Sequence, residues 1–258
     1  MTTDPNDEWK RWHERRTETV SAPYGPLALS GTHWIEDQPQ GRLRDIPGTW
    51  AADGDAVVLT ATEADGLALD GRPFAGEVRL GADAEPAARV TLGARRLVVL
   101  VREGVWGVRD YDPDATTRRA FRGIDATPYD PRWSVPGRFT PYDTARTVRV
   151  DNADGVRRGL GLAGELAFSL AGQERTLQVA RQADGRLWAV FADAGSGERS
   201  FRFRFLYPAA PDAEGRTTVD FNRSQLPPCA FADHFLCPFP PPGNTLDIAI
   251  DAGERNLL

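Results

Sequence analysis

Between Arg146 and Phe205, strand-like runs alternate with turn residues about every ten to twelve residues, and that rhythm admits few folds. RTVRV is followed by DNADG, GELAFSL by AGQE, RTLQVAR by QADG and RLWAVF by DAGSG, before the run ends in RSFRFRFLY. Turns this short leave successive strands only one arrangement, each folded back on the last as an antiparallel meander. Phe201, Arg202, Phe203, Arg204 and Phe205 alternate strictly, which puts phenylalanines on one face and arginines on the other.

Upstream, VVLTA at 57–61, GEVRL at 76–80 and RVTL at 89–92 are further short β-branched runs. RLVVLVREGVWGVRDY reads as a hairpin turning at Glu103-Gly104. The Pro- and Trp-rich stretch at 127–143 reads as a connector that packs down between two sheets. The exception to this β pattern is the N-terminus. Asp4-Pro5 suits a cap with proline in the first turn, and Trp9, Trp12 and His13 follow at helical spacing to about Thr19. The expected architecture is mainly β: an antiparallel β-barrel or β-sandwich over 21–258 with a helical arm over 1–20. The aromatic stripe of that arm docks on the body of the domain or, in the alternative reading, holds a homodimer.

At 258 residues the chain can bury a core without disulfide staples. Its net charge of -6 is spread along the sequence with no basic face, which argues against a nucleic-acid partner. Lys10 is the sole lysine and sits in the charged arm, so lysine-dependent chemistry has no candidate residue. No segment has the apolar length of a signal peptide or a membrane span, so the expectation is a soluble, cytoplasmic protein with reduced thiols and no membrane partner.

The C-terminal stretch DFNRSQLPPCAFADHFLCPFPPPGNTLDIAIDAGE holds both cysteines and six prolines. Each proline fixes φ and removes a donor, so the segment crosses the sheet as a strap rather than joining its centre. After TTVDF the strap anchors Cys229, Phe231, Phe235 and Phe239, then returns as a strand LDIAI with Leu246, Ile248 and Ile250 inward and Asp247 and Asp251 outward.

Cys229, His234 and Cys237, with Asp233, are residue types that zinc accepts, but C-x7-C is not a recognised zinc or redox spacing. The expected reading is two reduced, buried core thiols slow to react, the strap being a closure rather than a redox device; a disulfide, or a thiol nucleophile built from Cys229 with His234 or His33, is the alternative. There is no G-x-S-x-G, and GLGLAG at 159–164 lacks the strand–helix setting of a dinucleotide loop. No cofactor is expected; flavin, by analogy of scaffold alone, and zinc are the two left open.

The C-terminal blocks DFN-R, PPCAF, CP-PPP-N-L and I-AGE resemble the bacterial family catalogued as domain of unknown function 1684. GPLALSGTHWI, VREGVWGVRDYDP and FRGIDATPYDPRWSVPGRFTPYD resemble its other blocks. Asp220, Asn222, Arg223, Pro228, Cys229, Cys237, Pro238, Asn244 and Glu254 match that pattern, whereas His234 and SFRFRFLY depart from it, with Arg204 standing for the family's arginine. The resemblance implies no activity, since the family is named for lacking one.

Two readings of the polar residues around the strap remain open. In one, Asp220 pairs with Arg223, Asn222 satisfies free backbone groups, and Asn244 and Glu254 cap turns. In the other, Asp220, Asn222, Arg223, Asn244 and Glu254 line a pocket beneath the prolines, with Arg109, Arg204 or Arg102, for a small polar or anionic organic molecule that is bound or converted. A metal- or flavin-assisted enzyme, or a hydrolase using Cys229, is the alternative function.

Overall fold

The computed structural model describes residues 4–258; the first three residues of the expected arm lie outside the described residues. The protein is mainly β, and its antiparallel sheets include a half-barrel. The arm is helix α1, Pro5–Ser21. Its start follows from local chemistry: the Asp4 carboxylate accepts from the Asn6 N–H at 2.9 Å, and Pro5 enters where a missing N–H costs nothing.

Two compact units divide the chain, one formed by residues up to Thr17 with Arg122–Leu258, the other by Glu18–Phe121. The Glu18–Phe121 unit carries β1 (Leu29–Trp34), β2 (Thr49–Asp53), β3 (Ala56–Ala61), β4 (Leu67–Leu69), β5 (Arg72–Pro73), β6 (Gly76–Leu80), β7 (Val90–Leu92), β8 (Arg95–Arg102) and β9 (Val105–Tyr111), followed by a short helix α2 (Thr116–Ala120). Six of these strands form a sheet in the order β1-β9-β8-β7-β4-β5, and β2-β3-β6 form another. The hairpin turns where the sequence places it. Glu103 and Gly104 both adopt left-handed φ values, 48° and 84°, the two-residue turn whose twist matches that of its strands. Trp50, Val57, Leu59, Leu97, Val99 and Val108 fill this core.

The other unit carries β10 (Ile124–Ala126), β11 (Ser134–Asp151), β12 (Arg157–Leu170), β13 (Gln173–Arg181), β14 (Leu187–Phe191), β15 (Arg204–Leu206), β16 (Arg216–Asp220) and β17 (Glu254–Leu257). Its main sheet runs β15-β14-β13-β12-β11-β16, and β10 pairs with β17. The meander appears as β11 to β14 with every ladder antiparallel. Leu166, Leu177, Val179, Phe191, Val219 and Phe221 lie at its centre.

Three local expectations are corrected. The stretch 127–143 is not only a connector, because its second half is the start of the 18-residue β11. Pro136 lies in the short segment paired with β16, and at Pro141 the register with β12 shifts and resumes at Arg146, so that proline sits at an irregularity. RSFRFRFLY forms strand only at Arg204–Leu206, and its arginines do not share a face: Arg202 is exposed while Arg204 is buried. LDIAI forms no strand. It bends at Asp247 and Ile248 and runs beside 192–194, with the Leu246 N–H donating to the Ala192 carbonyl at 2.9 Å. Its facing nonetheless follows the alternation: Leu246 and Ile250 are buried, Ile248 is half-buried, and Asp247 and Asp251 are exposed.

Candidate functional site

After β16 the strap begins with a tight turn at Phe221–Arg223. The Asp220 carboxylate accepts from the backbone and side-chain amides of Asn222 at 3.1 and 2.9 Å. Fully buried, Asn222 exchanges bonds with the main chain of Asp130, both at 3.0 Å, and its carbonyl accepts from the Trp9 indole at 2.8 Å. The aromatic stripe of α1 therefore docks on its own chain, with Trp9 stacked on His13. Arg223 is half-exposed and lies 3.4 Å from Asp220 and 3.9 Å from Glu8.

A second cluster sits deeper. Arg204, 1% exposed, meets Asp193 at 2.6 Å and donates from its Nη groups to the carbonyls of Ile250, Ala252 and Glu254; its Nε–H makes no such bond. Burial pulls this guanidinium below its usual range, against the Asp193 charge that opposes the shift. Glu254, fully buried, accepts from Arg16 at 3.0 Å and from the Leu226 N–H at 2.7 Å. Burial raises its carboxyl above the ordinary range because it outweighs those two donors. The close approach here needs a glycine: Gly253 has φ 74°, and a Cβ would lie 2.7 Å from the Phe221 carbonyl oxygen.

Asn244, also fully buried, clasps two strands. It accepts from the Gln178 N–H at 2.8 Å and donates to the carbonyls of Gln178 and Val190, both at 2.9 Å. Arg109 belongs to the Glu18–Phe121 unit, where it meets Glu85 at 2.6 Å; Tyr111 also donates to Glu85, and burial, Glu85 following, raises its phenol. The expected set thus resolves into a turn (Asp220, Asn222, Arg223), a buried cluster (Arg204, Glu254) and a clasp (Asn244) in one unit, with Arg109 belonging to the other.

Open space lies elsewhere on the strap. A groove of about 490 Å³ runs beneath Pro240–Pro242, with Arg149, Arg157, Arg202, Asp151, Phe203 and Phe239 among its walls. The Arg202 guanidinium lies 4.6 Å from the Phe239 ring centre and forms no salt bridge among the described residues. Arg149 and Arg157 bond each other's carbonyls at 2.5 and 3.2 Å, and Arg157 lies 3.4 Å from Asp151. A second pocket of about 390 Å³ is lined by Trp12, Arg186, Tyr207, Asp220, Arg223 and Gln225. There both arginines already face carboxylates, Arg186 with Asp184 at 2.6 Å and Arg223 with Asp220. Burial lifts the Tyr207 phenol to about 12.

Arg149, Arg157 and Arg202, which line this groove, are not among the residues expected from the sequence. The FRFRF alternation was the signal for Arg202, although it pointed equally to Arg204.

The strap itself is held to the β11–β12 turn. Ala153 N–H donates to the Cys237 carbonyl at 2.9 Å, Asn152 to the Leu236 carbonyl at 3.0 Å and Phe239 N–H to the Asp151 carbonyl at 2.8 Å. Cys229 and Cys237 are 7% and 5% exposed, with no disulfide joining them. The Cys229 N–H donates to the Cys237 sulfur at 3.2 Å. No cluster of three His, Cys, Asp or Glu capable of holding a metal occurs among the described residues. No helix among them is long and apolar enough to cross a membrane, a statement about helices and not about strands.

These features define a mainly β protein whose antiparallel sheet is closed by a proline-rich C-terminal strap. The chain belongs to the family described as Protein of unknown function (DUF1684), whose model matches residues 119–255. It is also similar to a solution NMR structure of an uncharacterized protein from gene locus rrnAC0354 of Haloarcula marismortui. The identity is 32% over 54% of this chain and 78% of that one, with a TM-score of 0.45. No curated protein matches.

Proposed function

We propose that the protein binds a small organic anion in the groove beneath Pro240–Pro242. The observation that carries this reading is Arg202: an exposed guanidinium set against an aromatic ring, with no salt bridge among the described residues, beside two further arginines. A planar guanidinium presents paired donors that match a carboxylate or phosphate, and its weak hydration lowers the cost of bringing an anion to it. Asp151 is the one acidic group on the groove wall, and Arg157 already faces it. Phe203, Phe239 and the prolines add an apolar surface for the body of the ligand. In a chain of net charge -6 such a positive groove draws anions locally.

The expected site residues support this reading from behind. Asn244 stands between Gly243 and Thr245, both groove residues, and holds them against β13 and β14. Gln178 donates to the Pro242 carbonyl at 2.5 Å and steadies the same wall. Arg204 anchors the chain two residues from Arg202. Asp220, Asn222, Arg223 and Glu254 fix the root of the strap, and Arg109 takes no part in this groove.

Calorimetric titration with phenyl phosphate, an anion carrying one ring, tests the reading. One saturable site is expected, weakened about tenfold, or about 1.4 kcal/mol, by Arg202→Gln. Equal affinity in the wild type and in Arg149→Gln, Arg157→Gln and Arg202→Gln would refute it.

A further inference from the structure

We propose that Cys229 and Cys237 form an oxidisable dithiol, which hydrogen peroxide converts to a disulfide within the chain. Ordinary core cysteines lie among hydrocarbon and do little else. These two face each other and polar groups. The Cys229 N–H donates to the Cys237 sulfur at 3.2 Å, which places one sulfur against the other residue's backbone. The Cys237 side chain hydrogen-bonds the Cys229 thiol, and the Arg202 guanidinium lies beside it; together they favour the thiolate over the burial that opposes it. Thiolate character and a resolving partner within reach are the two properties that make a thiol pair oxidisable.

Access has a route as well. Arg202 is exposed and lines the groove, so the group that touches Cys229 also meets solvent. The short span between the cysteines includes exposed Asp233 and His234; its first half is held by local turns, while the Leu236 and Cys237 carbonyls are tied to Asn152 and Ala153 of the β11–β12 turn. Closure therefore demands adjustment of this short loop and of the turn it is tied to.

The chemistry balances. The Cys229 thiolate attacks one oxygen of hydrogen peroxide; an S–O bond forms, the O–O bond breaks, and the leaving hydroxide takes a proton to become water. Cys229 is then a sulfenic acid. The Cys237 sulfur attacks the Cys229 sulfur; the S–S bond forms, the S–O bond breaks, and the departing hydroxide leaves as water with the Cys237 proton. Two thiols lose two electrons in all, and the peroxide is reduced to two waters.

Hydrogen peroxide added to the native full chain, followed by intact mass measurement and thiol counting after unfolding, provides the test. The expected result is a mass lower by two hydrogens, no remaining thiols, and recovery of both with dithiothreitol. Cys237→Ser should stop at the sulfenic acid, trapped by dimedone on Cys229, and Arg202→Gln should slow oxidation about tenfold. Persistence of both thiols, gain of oxygen in place of loss of hydrogen, or linkage between chains would each overturn the proposal. It stands apart from the anion reading, and the outcomes separate the two. A disulfide that forms in protein blind to phenyl phosphate leaves the dithiol intact and removes the groove. Phenyl phosphate binding with thiols unchanged by peroxide does the reverse.

Discussion

Arg204 and Arg202 stand two residues apart and meet opposite fates. Arg204 turns inward to a carboxylate and three carbonyls, while Arg202 turns outward over Phe239 with no carboxylate answering it. The same contrast separates the buried polar side chains of the strap, Asn222, Asn244 and Glu254, which find partners within the chain, from the groove wall, where three arginines face one aspartate. Residue type does not distinguish the structural arginine from the one proposed to bind. The location of the complementary group does.

Breaking the inner side should cost most. Arg204→Met leaves Asp193 charged and buried, and a loss of about 3–5 kcal/mol in unfolding free energy is expected from denaturant titration. Asn244→Ala strands one N–H and two carbonyls between β13 and β14, which should cost about 2–3 kcal/mol by the same measurement. Glu254 gives a smaller effect with a sign. Its folded carboxyl holds its proton more tightly than the unfolded one, so its contribution is fully present below about pH 4.5 and is lost as pH rises through the folded value. The Tm of the wild type relative to Glu254→Gln should therefore fall as pH rises above 4.5. On the outer side, Arg202→Gln should move stability by no more than about 0.5 kcal/mol while weakening phenyl phosphate. A large stability loss there would erase the distinction between the two arginines.

The parts of the fold legible in the sequence were those written in local pattern. Leu166, Phe168 and Leu170 alternate inward along β12, and Glu103-Gly104 marks its own turn. What escaped had no local signature. Pro136 and Pro141 disguised the opening of β11, since a residue without an N–H argues against a strand until the neighbouring strands are known. Arg204 looked like the outer face of a strand because its partner, Asp193, lies across a turn that no periodicity encodes. Of the proposed groove, one wall was marked in the sequence and the arginines were not. Six prolines marked where the groove would lie, whereas Arg149 and Arg157 reach its wall through the pairing of β11 with β12, which the residues themselves do not announce.

The docking of α1 has a consequence for synthesis. Trp9 bonds the carbonyl of Asn222, and Arg16 bonds Leu226 and Glu254, partners more than 200 residues downstream. The Glu18–Phe121 unit emerges between them and is continuous in sequence, so it can fold while the ribosome is still working. Helix α1 cannot complete its contacts until the chain has been made as far as Glu254. It lies ahead of that unit in the chain and is secured after it, and synthesis halted short of Asn222 would leave the Trp9 indole without the carbonyl it bonds.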